Sequence, residues 1–185
     1  SSIQPLEKLR ADLAAAPAVA APSPAAPPAL AEAPRAEAAS EPRFDLIVNV
    51  QGDEPFVPRE AVTGAIARVR GGDDVGSAAA PLSAQDAGDP ARVKVVCDAA
   101  GRALYFSRAA IPHVRDPADR PAASFWQHLG VYAYRRAALM RWVALPPTAL
   151  ELAERLEQLR ALQHGISFGI AFLGAAVLPG IDTPD

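Results

Sequence analysis

From Phe44 onward, short runs rich in β-branched and aromatic residues alternate with stretches whose apolar positions return at helical spacing. That is the pattern of strands and helices packed in layers. Residues 45–50 form a nearly continuous apolar run, which predicts a strand covered on both faces. A helix is predicted over 59–70, after Pro58, and 75–81 reads as a second strand. Residues 93–98 and 103–107 flank Ala99-Ala100-Gly101 and read as a hairpin. Residues 125–134 read as strand and 136–143 as a helix stopped by Pro146-Pro147. Residues 151–164 carry Leu152, Leu156, Leu159 and Leu162 at helical spacing, predicting one helix closed by Gly165. A last strand is expected over 167–173. The outcome is one α/β domain over 44–185, without internal repeats.

Residues 1–43 follow a different rule. Positions 11–40 hold 15 alanines and 6 prolines, and prolines at 17, 22, 24, 27, 28 and 34 forbid a continuous helix there. Without large side chains to offset ordering entropy, this low-complexity segment is expected to be disordered or loosely polyproline-like. One short helix over 3–16 is expected before it. The segment holds much of the chain's excess of 19 prolines.

Composition narrows the function. A formal net charge of −3, from 18 basic and 21 acidic residues, gives no cationic field to collect nucleic acid or an anionic membrane. Local groups must therefore hold any anionic ligand, and apart from Lys8 and Lys94 these are all guanidinium groups. The single cysteine, Cys97, excludes an internal disulfide framework and fits a reducing cytosol. The uncharged stretch 165–181, at 17 residues, is short of the ~20 apolar residues that span a bilayer. Glu7, Lys8, Arg10 and Asp12 interrupt any candidate export-signal core. A cytoplasmic protein without membrane insertion is expected.

Candidate chemistry sits where strands end, since ligands of open α/β sheets bind beyond the carboxyl ends of strands. Gln51-Gly-Asp-Glu-Pro55 occupies such an end, and an aspartate held just after a strand, Asp53, suits a hard cation such as Mg²⁺. Asp182 follows the last strand in the same way, so the two carboxylates can converge on one metal, or each can simply form a turn. Arg108 closes the hairpin and Arg115-Asp116 follows, offering guanidinium groups to a carboxylate or phosphate, or to surface ion pairs. His128 and Tyr132 share one strand face by period-two alternation and can line a pocket. Glu157 and Gln158 lie on the leucine-striped helix, where a solvated face is the default. His113 and His164 lack partners at metal-ligand spacing, and Cys97 reads as a small buried apolar residue.

Several blocks occur together in a telling order: Val48-Asn-Val-Gln-Gly-Asp-Glu-Pro55, Lys94-Val-Val, Ala103-Leu-Tyr-Phe-Ser-Arg108, Ile111-Pro112, Arg115-Asp116, His128-Leu-Gly-Val-Tyr132, Trp142-Val-Ala-Leu-Pro-Pro147, Leu156-Glu-Gln-Leu-Arg160 and Asp182-Thr-Pro184. Over 44–185 the chain resembles the 3-deoxy-manno-octulosonate (KDO) cytidylyltransferases, the CMP-KDO synthetases of Gram-negative bacteria. The resemblance implies a Rossmann-like nucleotide-diphospho-sugar transferase fold, with a mostly parallel central sheet and a β-hairpin insertion. It implies the reaction of CTP with KDO to give CMP-KDO and pyrophosphate for lipopolysaccharide synthesis, in a homodimer. By the same resemblance Asp53 and Asp182 hold Mg²⁺, Gln51 lies in the substrate site, and Arg108, His128, Tyr132, Glu157 and Gln158 bind the sugar acid.

The sequence departs from the family at its N-terminal side. The strand and Gly-Lys-bearing loop that cradle the triphosphate, and the Ser-Gly-Thr segment near the base, have no counterpart, and the Ala/Pro segment stands in their place. The expectation is a sheet missing its N-terminal strands, with an open edge beside Val48 through which chains associate, and impaired turnover, as in a truncated or frame-disrupted product. Rival readings are a cytidylyltransferase for another acidic sugar such as sialic acid, and a non-catalytic remnant that only associates with other subunits.

Overall fold

The computed structural model describes residues 44–51, 56–116, 118–119 and 124–177. In chain order these form β1 (Leu46–Val50), α1 (Arg59–Arg70), β2 (Val75–Leu82), a 3-10 turn at Asp86–Gly88, β3 (Lys94–Cys97), β4 (Ala103–Ser107), β5 (Phe125–Arg135), α2 (Arg136–Val143), α3 (Ala149–Glu154), α4 (Gln158–Gln163) and β6 (Phe168–Phe172). The Ala/Pro segment, the helix expected over 3–16, Asp53 and Asp182 lie outside the described residues.

Strand β5 organises the sheet. One of its edges pairs with β2 along the strand's length, while the other takes β3 near its start and β1 near its end. Beyond β2 lies β6, and beyond β3 lies β4, giving six strands among the described residues. The α/β class is as expected, but the sheet is mixed rather than mostly parallel. Only β2 and β6 run parallel; β1, β2 and β3 all pair antiparallel with β5, and β3 with β4. The reason is that β5 runs against every strand it touches; β1, β2, β3 and β6 share one direction, and β5 and β4 take the other.

Two further expectations are corrected. β1 is not covered on both faces: Val48 is 39% and Val50 44% exposed, and β5 is the one described strand that pairs with it. The predicted helix over 151–164 is two helices. Arg155 adopts a left-handed conformation, φ 55°, which ends α3, and α4 restarts at Gln158. Leu156 and Leu159 of the stripe still enter the core.

Helices cover both faces. On one, Ala61, Ala65 and Val69 of α1 meet Ala78, Ala80, Leu129, Val131 and Ala133. On the other, α2, α3 and α4 close over an aromatic group in which the Trp142 ring lies 5.8 Å from Tyr134 and 5.5 Å from Phe168. β2 is buried on both faces and made of small residues, so α1 comes very close to it. A Cβ added at Gly76 would stand 1.9 Å from the Ala65 carbonyl oxygen.

The hairpin β3–β4 turns through Gly101, φ 74°, and its tip returns to the far edge of the sheet. There the Ile170 N–H donates to the Gly101 carbonyl at 2.8 Å, and Arg102 bridges to Gly169. Buried Asp73 fixes this closure by pairing with Arg102 (2.8 Å) and with Arg68 of α1 (2.9 Å). Gly169 leaves room for the triad, since a Cβ there would lie 2.0 Å from Asp73 Oδ2.

Gly76→Ala therefore forces α1 off the sheet through a backbone contact that no side-chain rotation relieves. Urea unfolding should show a loss at or above the upper end of the ~1–3 kcal/mol typical of overpacked cores; an unchanged midpoint would mean that α1 does not sit this close.

Candidate active site

The aromatic face of the sheet gathers most of the described residues that the sequence singled out. His128 and Tyr132 face the same side of β5, as the alternation predicts, with ring centroids 5.4 Å apart. Tyr132 stacks on Tyr134 at 5.9 Å, and Phe106 of β4 meets the His128 ring edge-on at 4.9 Å. Gln51, exposed just beyond β1, donates its backbone N–H to the Gly130 carbonyl at 3.0 Å. Gly130 lies between His128 and Tyr132, so Gln51 stands beside them in the chain pairing.

His128 is buried, and burial drives its pKa down from 6.5 to about 3, leaving a neutral imidazole. Its Nε2 lies 2.8 Å from the Ser77 hydroxyl, and its backbone N–H reaches the Val93 carbonyl at 2.8 Å. Burial also raises the Tyr134 hydroxyl well above its ordinary value, although a hydrogen bond with Asn49 works against it.

Arg108 follows β4, and its donors are largely engaged. Nε donates to the Glu154 carbonyl (2.9 Å), Nη1 to that of Pro90 (3.0 Å) and Nη2 to that of Arg155 (3.5 Å). The guanidinium thus satisfies carbonyls at the C-terminal end of α3, where a cation is also favoured by the helix dipole. One N–H on each terminal nitrogen remains, enough for a fork onto one carboxylate. The backbone is held as firmly. Glu154 Oε2 accepts from the Arg108 N–H (2.9 Å), and Oε1 of the same carboxylate accepts from the Ser107 hydroxyl (2.7 Å).

Lys94 completes this anchorage. Its side chain is fully buried in β3, and its ammonium donates to the carbonyls of Asp89, Arg92 and Arg108. Burial lowers its pKa; nearby Asp89 opposes this, Arg108 reinforces it and Glu154 opposes it. Sequence reasoning placed Lys94 only within a motif. The available signal was a lysine opening an otherwise apolar strand, where a cation must be matched by buried acceptors.

Glu157 and Gln158 begin α4, and Gln158 is buried, so the solvated-face default does not hold for it. Beneath them a second buried pair fixes the bend between the helices. Glu151, fully buried, forms a capping box with Thr148, and both its oxygens accept from Arg160. Glu157 itself has its pKa raised from 4.5 to about 7, chiefly by burial; Arg160 counters the shift and Glu151 adds to it.

Cys97 is half-buried at the end of β3, its thiol pushed up to about 11 by burial first and by Asp98 second. It is therefore a thiol and not a thiolate at neutral pH. Among the described residues no group of three or more His, Cys, Asp and Glu side chains is placed to hold a metal ion. No helix among them is long and apolar enough to cross a membrane.

Comparison with known proteins adds the following. A family model described as cytidylyltransferase matches residues 30–168. The 3-deoxy-manno-octulosonate cytidylyltransferase of Gemmatimonas aurantiaca is 54% identical over 156 residues, covering 81% of this chain and 60% of that protein. The enzyme of the same name from Dichelobacter nodosus is 47% identical over 141 residues, covering 76% of this chain and 57% of that protein. The chain thus spans about 60% of the length of these curated relatives. A solved structure of CMP:2-keto-3-deoxy-manno-octonic acid synthetase complexed with CTP superposes with a TM-score of 0.70 at 38% identity, covering 77% of this chain and 58% of that one.

The raised carboxyl at Glu157 makes stability depend on pH with a defined sign. Because the folded state holds the proton more tightly than the unfolded one, this residue's contribution is best below pH 4.5 and declines as pH rises through about 7. Thermal midpoints of the wild type and Glu157→Gln should diverge across that window, the variant keeping the stability that the wild type loses; parallel curves would contradict the shift.

Proposed function

The chain belongs to the cytidylyltransferase family, and on that premise we propose that the protein transfers a cytidylyl group from CTP to KDO, releasing pyrophosphate. The observation that carries this reading is the grouping of Gln51, His128 and Tyr132 where β1 ends beside the middle of β5. Arg108 stands two residues beyond the Phe106 ring that packs on His128. It is a guanidinium with one N–H left on each terminal nitrogen.

In this reading the sugar carboxylate takes the remaining Arg108 donors. Neutral His128 and the Tyr132 hydroxyl contact sugar hydroxyls, and Glu157 and Gln158 contact the sugar from the start of α4. Glu157, near half protonated at neutral pH, can donate as well as accept a hydrogen bond. The anomeric hydroxyl oxygen attacks the α-phosphorus of CTP, and its proton passes to solvent water as the new P–O bond forms. The bond from that phosphorus to the bridging oxygen breaks, and pyrophosphate leaves. The residues contribute mainly orientation, which supplies much of the rate in such transfers.

Mg²⁺ belongs to the reading as well. Asp53 and Asp182 are hard oxygen donors of the kind it takes, and when bound it would neutralise charge on the phosphates. Further parts of the reading are a second copy of the chain as partner and a cytoplasmic setting.

Purified protein incubated with CTP, KDO and Mg²⁺ should release pyrophosphate and form CMP-KDO. Pyrophosphate release with sialic acid alone would favour the sialic acid alternative, and no release with either sugar would favour a non-catalytic role. In the active protein Arg108→Lys should raise the KM for KDO about tenfold or more and leave that for CTP nearly unchanged, because an ammonium cannot present two parallel donors. Equal losses for both substrates would place Arg108 on the phosphates instead.

A further inference from the structure

We propose that Ser77 is a positioning residue that locks His128 in the Nε2–H tautomer, leaving Nδ1 as a bare acceptor for a hydroxyl of the sugar substrate. The second half of this statement rests on the functional reading above; the first half does not.

Ser77 is fully buried in β2, in a run of small residues where it reads from the sequence as a filler. Its position is unusual in one respect. The register between β2 and β5 shifts after Ser77, which pairs with Tyr132 while Ala78 pairs with Leu129. Gly130 and Val131 are the residues skipped by this shift. The Ser77 hydroxyl reaches into the irregularity, 2.8 Å from the Val131 carbonyl and 3.4 Å from that of Leu129.

A carbonyl oxygen only accepts, and a hydroxyl has one proton to give. With that proton on Val131, the 2.8 Å contact between Ser77 Oγ and His128 Nε2 is a hydrogen bond only if Nε2 carries hydrogen. Placing the proton on the His128 side instead would leave two oxygen lone pairs facing each other at 2.8 Å in a buried site. The ring is neutral, since burial holds its pKa at about 3, so a proton on Nε2 means none on Nδ1. The bulge thus creates a carbonyl acceptor, the carbonyl orients the hydroxyl, and the hydroxyl selects the tautomer. The Phe106 and Tyr132 rings on His128 restrain its tilt. His128 therefore acts as an acceptor in substrate binding and not as a cation.

The tautomer is measured directly by long-range proton–nitrogen correlation on nitrogen-labelled protein, with His128→Gln used to assign the signal among the three histidines. The expected spectrum has a single protonated Nε2 and an unprotonated Nδ1, whose shift moves on titration with KDO. In Ser77→Ala the ring should populate both tautomers, with KDO affinity reduced about tenfold and CTP affinity unchanged, as for loss of one aligned hydrogen bond. A wild-type ring protonated on Nδ1, a Ser77→Ala ring with an unaltered tautomer, or equal losses of affinity for both ligands would each overturn the proposal. A pure Nε2–H ring in a protein that binds no KDO would confirm the Ser77 assignment while sinking the functional reading.

Discussion

A buried ammonium has to find acceptors, and Lys94 finds them in three carbonyls, two close by in the chain and one beyond the hairpin. Two come from the loop before β3 and the third from Arg108, just past β4. Leaving such a charge unmatched would cost far more than any one contact nearby, so the loop, β3 and the end of β4 must arrive together. Arg108 then has its carbonyl fixed by Lys94, its N–H by Glu154 and its guanidinium by α3. Arg108 is thus held through its backbone and through three of its guanidinium N–H groups, with one N–H on each terminal nitrogen left over.

Much of the fold could be read from local signals. Gly101 and the flanking runs located the hairpin, Pro146-Pro147 the end of α2, and period-two alternation the shared face of His128 and Tyr132. What could not be read depended on partners distant in sequence. The exposure of Val48 and Val50 is at odds with the run 45–50, whose nearly continuous apolar pattern asks for cover on both faces. The break at Arg155 goes against a leucine stripe that asks for a continuous helix. The buried Glu151–Arg160 pair and the Arg108 guanidinium, which hold the bend, enter only in three dimensions. Lys94 and Ser77 were hidden for a related reason, because residue type alone marks one as surface and the other as filler.

Two kinds of packing meet at the sheet. On the α1 side small residues bring backbone close to backbone, with little side-chain volume to shift. On the other side large rings from β4, β5, β6 and α2 interlock edge to face, which fixes orientation as well as distance. The candidate site lies on the second side, where ring geometry sets the direction of His128 and Tyr132. The first side serves as the backing against which those rings are held.

The closure of the hairpin tip onto β6 also sets an order of events for a chain leaving the ribosome. β2 receives its parallel neighbour only when Phe168 pairs with Val75, and the hairpin tip receives its anchor from Gly169 and Ile170 of that same strand. Both edges therefore stay open until one of the last described elements has been made. Contacts of such long sequence separation form slowly. Until then, among the described elements, β2 and the hairpin depend on α1 and β5, so the nascent chain shows unpaired strand edges until β6 is made.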